Sequence, residues 1–151
     1  KISGQANGTF IAILNSYGYT VDVDKLYNDY INKYFEKDIS DAELKKSLQP
    51  IVLDMIWNKY MKDNRINLKC QDLTFQSNEY ITNAINNGHY VLLWYSRLGQ
   101  NWLQANVYIG KLVSPQKVVL MNYLGKELSI ESDFFWKHFE ACGHYALVIG
   151  W

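Results

Sequence analysis

The sequence predicts an α+β domain with a helical N-terminal half packed on an antiparallel C-terminal sheet. Before the Asp63-Asn64 break, apolar residues recur three and four apart, the period of a helix face. After it, most apolar runs are short and separated by Gly, Asn or Pro, as neighbouring antiparallel strands require. Helices first and strands afterwards, rather than a regular alternation of the two, is the pattern of α+β and not of parallel crossover units.

Each element has its own signature. Over 9–17, Phe10, Ile11, Ile13, Leu14 and Tyr17 make a wide apolar helix face, and Gly18 stands where a left-handed C-terminal cap belongs. This first helix is expected to be buried against the sheet. Asp22 suits the cap of a second helix, with Leu26, Tyr30 and Tyr34 at four-residue spacing and Asp24, Lys25, Asn28 and Asp29 facing out. Ser40 and Glu43 have capping-box spacing for a short helix that runs through Leu48. Pro50 suits the first turn of another, carrying Ile51, Val52, Met55, Ile56 and Tyr60.

In the second half, Ile66, Leu68 and Cys70 alternate with polar residues as a half-buried strand does. Ser77 caps a helix with Tyr80, Ile81, Ala84 and Ile85, which Asn87-Gly88 ends. Strands are then expected at 89–95, 103–110, 117–121 and 126–130. A helix over 131–139, with Phe134, Phe135 and His138 on it, precedes a closing strand at 145–149.

The 151 residues fit one domain, 1–151; a chain of this length buries roughly two thirds of its unfolded surface. No repeat, low-complexity tract or Pro/Gly/Ser-rich linker divides it. Lys plus Arg balance Asp plus Glu at 15 each, so no overall field draws the chain to nucleic acid or anionic lipid; Lys59, Lys62 and Arg65 read as a solvated helix end. The longest apolar runs, at 91–94 and 118–121, are far short of the ~20 residues of a membrane helix, and no span is expected. No basic-then-apolar leader opens the chain at Lys1, so its start gives no address; a mature or trimmed form would read the same.

Cys70 and Cys142 lack metal-ligand spacing and read as two buried thiols in preference to one disulfide, a choice that sequence alone does not decide. His89 begins a strand and His138 lies on a helix, so no metal site is expected, and no cofactor is implied. The pairs Asp22 with Asp24 and Asp38 with Asp41 sit at helix starts, where carboxylates complement the dipole.

A small cysteine peptidase needs a thiol at a helix N-terminus, where the dipole lowers its pKa, and a histidine on a facing strand to share the proton. Both places exist here. One helix opens near Ser3-Gly4-Gln5; the strand Gln104-Ala105-Asn106-Val107-Tyr108-Ile109-Gly110 follows a turn-rich segment, with Asn122 just after the next strand. In this order and spacing the chain resembles, over nearly its whole length, the papain-like peptidase domains that trim double-glycine leader peptides in bacteriocin exporters, and their stand-alone relatives.

The resemblance implies a papain-like fold and assigns three positions. The family's helix starts with Gly-Cys or Asp-Cys and runs to an Asn/Tyr-x-Gly-Tyr ending; counting back from Asn15-Ser16-Tyr17-Gly18-Tyr19 puts Gln5 in the cysteine position. Its histidine opens a His-Ala-Val-Val-x-x-Gly strand, and Gln104 stands there. Its third member, an Asp or Asn, aligns with Asn122 in Met121-Asn122-Tyr123-Leu124-Gly125. The glutamine that the family places before its cysteine, to stabilise the oxyanion, is either missing or lies upstream of Lys1. A glutamine amide is neither a nucleophile nor a titrating base near neutral pH. The resemblance therefore implies a pseudo-peptidase with vestigial positions Gln5, Gln104 and Asn122, which binds a peptide or protein partner. It also favours a bacterial extracellular or cell-surface setting over the cytoplasm.

Two other function classes stay open. In Cys142-Gly143-His144 cysteine and histidine are neighbours, and residues two apart can share a strand face, so an active cysteine hydrolase or acyl transferase using Cys142 is one. Its place between a helix and the closing strand speaks for burial instead. A structural or adhesive surface domain is the other. Among 12 tyrosines and 5 tryptophans, Trp94, Tyr95 and Trp102 lie in or beside a polar, turn-rich segment and are candidate contacts for a sugar or peptide. The alternative is that Trp94 and Trp102 flank a hairpin loop and close the sheet edge.

Overall fold

The structure, a computed structural model, describes residues 5–36, 49–99 and 105–150. The helix expected up to Leu48 and the positions Trp102 and Gln104 lie outside the described residues. Helix α1 spans Gln5–Ser16. Helix α2 is a continuous run of an α turn at Val23–Lys25, a π-helical segment at Leu26–Ile31 and a second α turn at Asn32–Tyr34. Helix α3 (Pro50–Asp63) leads to strand β1 (Cys70–Asp72), followed by α4 (Asn78–Asn86), β2 (Tyr90–Tyr95), β3 (Asn106–Val113), β4 (Lys117–Met121), β5 (Glu127–Glu131), α5 (Ser132–Ala141) and β6 (Ala146–Ile149).

The strands make one six-stranded sheet in the order β1-β6-β2-β3-β4-β5, every neighbouring pair antiparallel. The class is therefore α+β. Strands β2 to β5 lie side by side in chain order, whereas β6 inserts between β1 and β2. Because successive strand residues point to opposite faces, Leu92, Trp94, Val107, Ile109, Leu147 and Ile149 face a core shared with α1, α2 and α3. Val91, Leu93, Tyr95, Val118 and Leu120 face a second core with α4 and α5. The N-terminal helices thus pack on the sheet as expected, and two helices of the second half cover its other face.

Helix ends follow local chemistry. The Lys25 N–H donates to Asp22 Oδ1 at 3.1 Å and the Tyr80 N–H to Ser77 Oγ at 3.1 Å, so both expected caps form. After α1 the Tyr19 N–H reaches the Leu14 carbonyl and the Gly18 N–H the Asn15 carbonyl, both at 3.0 Å, with Gly18 at φ +89°. This crossed pair satisfies carbonyls that the helix end leaves open. Helix α3 ends the same way on Arg65, at φ 57°, where no glycine signals it.

Helix α1 runs from Gln5, at the opening expected near Ser3-Gly4-Gln5. Three expectations change. In α2 Leu26 is buried and Tyr30 packs against the core as expected, while the i→i+5 turn brings Ile31 in as well and Tyr34 is exposed. Helix α3 turns Ile51 and Met55 outward, 55% and 56% exposed. Its buried face is Leu53, Ile56, Trp57, Tyr60 and Met61, because Trp57 stacks on Phe10 at a centroid distance of 4.4 Å and so sets the rotation of the helix. Of the strand expected from Ile66 to Cys70, only Cys70 is in the sheet. Among the described residues, no helix is long and apolar enough to cross a membrane.

Candidate functional site

The site begins where α1 meets β3. Asn7, Thr9 and Phe10 are fully buried on α1, and the Trp57 Nε1–H donates to Asn7 Oδ1 at 3.0 Å, tying the first turn of α1 to α3. Gln5 points the other way, into solvent beside the start of β3. Its Oε1 accepts from the Val107 N–H at 2.8 Å and its Nε2 donates to Asn106 Oδ1 at 2.7 Å.

The register of the sheet explains why that N–H is open. On one side β3 pairs with β2, with Val107 opposite Trp94. On the other, Ile109 stands opposite Met121, so the strand partner of Val107 would be residue 123. Strand β4 has ended by then. The chain turns at 122–125, where Asn122 Oδ1 accepts from the Leu124 N–H at 3.0 Å and the Lys126 N–H at 2.9 Å. This is the side-chain-to-backbone turn typical of asparagine. The Tyr123 ring then lies over α1, where a Cβ on Gly8 would sit 3.4 Å from it. Gln5, Asn106 and Tyr123, all exposed, thus cluster over buried Gly8 and Val107 where α1 meets the sheet.

Of the positions assigned from sequence, Gln5 lies at this surface and Asn122 borders it. The Asn122 side-chain oxygen is already engaged within its own turn. Asn106, two residues beyond Gln104, faces Gln5. Asn106 and Tyr123 lie inside the segments 104–110 and 121–125, but nothing local marks an asparagine whose partner is 101 residues away.

Trp94 and Tyr95 are revised from candidate ligand contacts to core side chains. They are 3% and 1% exposed, one in each core, because both faces of β2 are covered. Tyr95 stacks on Phe135, and burial pushes its hydroxyl up to about 12.

Cys70 and Cys142 are free, buried thiols, and burial pushes both up, with the Asp54 carboxylate adding to the effect at Cys70. Cys142 caps the C-terminal end of α5, the end of a helix dipole that disfavours a thiolate. The His144 ring is engaged elsewhere: Nδ1 is 2.8 Å from the Thr74 carbonyl oxygen and Nε2 is 2.6 Å from Asn78 Oδ1. No group of three or more metal-ligating side chains occurs among the described residues.

Compared with protein families, with curated proteins and with solved structures, the chain matches none. The geometry by itself defines a class, an α+β domain with a six-stranded antiparallel sheet, in which carboxamides meet where the first helix abuts the third strand.

Proposed function

We propose that this protein is a degenerate papain-like domain, similar to the double-glycine leader peptidases, that binds a peptide or protein partner without cleaving it. The observation that carries the reading is the clasp of Gln5 with Asn106 and Val107 at the start of α1. A cysteine peptidase would place its thiolate and imidazole at such a meeting of helix N-terminus and strand. Carboxamides donate and accept hydrogen bonds but neither attack nor titrate near neutral pH, so affinity for a peptide would outlast the loss of turnover. Cys142 does not offer a replacement nucleophile, since its thiol is buried at a helix C-terminus and His144 is bound to other groups.

The test is to restore the missing chemistry and measure thiol reactivity. Alkylation of the cysteine in Gln5→Cys is expected to be faster, and its apparent pKa lower, when Gln104→His is added. If only Asn106→His accelerates alkylation, the histidine position moves by two residues. If neither histidine does so, the pseudo-peptidase reading fails, as it does if the unmodified chain hydrolyses peptides.

A further inference from the structure

We infer that the Val107 N–H is a docking point for the backbone of an extended peptide, and that the Gln5 side chain is a removable stand-in for that peptide's amide. The inference names the binding mode of the site proposed above and rests on that reading. It starts from a gap in the sheet. Val107 keeps β2 on one side, but β4 stops at Met121, two residues short of the position that would meet it, and no other strand among the described residues pairs there. An open strand edge binds extended chains by backbone hydrogen bonds.

What fills the gap indicates the chemistry that fits it. A side-chain carboxamide is a peptide group without its chain, one carbonyl and one N–H-bearing nitrogen in a plane. Gln5 presents its carbonyl to Val107 at 2.8 Å and its nitrogen to Asn106 Oδ1 at 2.7 Å. The same device occurs twice elsewhere in complete form. Asn58 takes both the N–H and the carbonyl of Cys70, each at 2.9 Å, and Asn86 takes both groups of Val113, at 3.0 and 2.8 Å. Gln5 meets only the N–H of its strand residue, spends its nitrogen on a side chain, and is exposed at the start of its helix. An incoming carbonyl would replace the one backbone bond that Gln5 makes, so displacement costs little. Tyr123, 42% exposed over Gly8, offers a ring to the side chain of the peptide residue that docks.

The probe is a blocked, β-forming hexapeptide, acetyl-(Thr-Val)3-amide, titrated into the isotope-labelled chain by NMR. The Val107 backbone amide and the Gln5 side-chain amide are expected to shift together and saturably. Gln5→Ala, which removes the stand-in, should bind the hexapeptide roughly 2- to 10-fold tighter, the worth of one net hydrogen bond. Gln5→Glu, which holds the N–H with a charged acceptor, should bind it more weakly than the parent. Equal affinity in all three chains, shifts confined to other residues, or no binding by about 1 mM would overturn the inference. None of those outcomes touches the thiol-reactivity test, so the broader reading stands or falls separately.

Discussion

At β1 and at β3 a carboxamide from a helix meets an open strand edge, and the two junctions are built to different ends. Asn58 of α3 pairs with both peptide groups of Cys70, while Asp54, one turn earlier, accepts from the Asp72 N–H and from Asn58 itself at 2.9 and 2.7 Å. The outer edge of a three-residue strand is thereby consumed and shielded by a helix. Gln5 at β3, an exposed side chain, forms one part-buried backbone bond, beside a turn and a tyrosine ring. An amide that satisfies both groups of a strand residue from a half-buried position is structure; one that reaches a single group from an exposed position can be exchanged for another chain.

The largest effect that separates the two is expected from Asn58→Ala. It strips the N–H and carbonyl of Cys70 and one bond of Asp54 at a partly buried edge, and should cost roughly 2–3 kcal/mol, read as a lowered urea midpoint. A loss near zero would mean that β1 does not depend on this closure.

Alkaline pH should discriminate next. Cys70 and Cys142 are held neutral by burial, so their folded pKa values lie above the unfolded ones. Their contribution to stability is complete below the unfolded thiol value of about 8.5. It is lost as pH rises through that value toward the raised folded ones, by up to about 1.4 kcal/mol per pH unit per thiol. Cys70 Sγ lies 3.7 Å from the Asp54 carbonyl, inside the β1 junction, so hydrogen exchange at Cys70 and Asp72 should accelerate with pH more than base catalysis alone requires. Val107 should show no such excess, and Cys70→Ala should remove it at β1. Equal excess at both junctions would erase the distinction.

The smallest effects sharpen the order. Asn86→Ala should cost roughly 1 kcal/mol, because Asn86 is exposed and water can take up part of its pairing with Val113. Gln5→Ala should cost about as much as one net hydrogen bond at an exposed side chain, roughly 0.5 kcal/mol. A Gln5→Ala loss as large as that of Asn58→Ala would make Gln5 a structural clamp.

Much of the fold was legible because it is decided locally. The Asp22 and Ser77 caps, Pro50 at the start of α3 and Gly18 and Gly88 past the ends of α1 and α4 are choices that a few adjacent residues make. The runs at β2 and β4 read as strands for the same reason. The candidate site was legible only in part. Gln5 and the segments around Asn106 and Tyr123 could be marked, but the clasp between Gln5 and β3 depends on where β4 stops, which is a matter of register.

By itself, then, the sequence determined the α+β class and the positions of most helices and strands. Tertiary structure alone decided that β6 enters between β1 and β2, since that pairing joins segments far apart in the chain. It also decided the rotation of α3, where Trp57 and not Ile51 or Met55 finds the core, and the burial of Trp94 and Tyr95 on opposite faces of one strand. The physical reason is common to all three: caps and periodicity are read within a few residues, whereas which face is covered, and which amide finds an open N–H, depends on the packing of elements that meet only when the chain is folded.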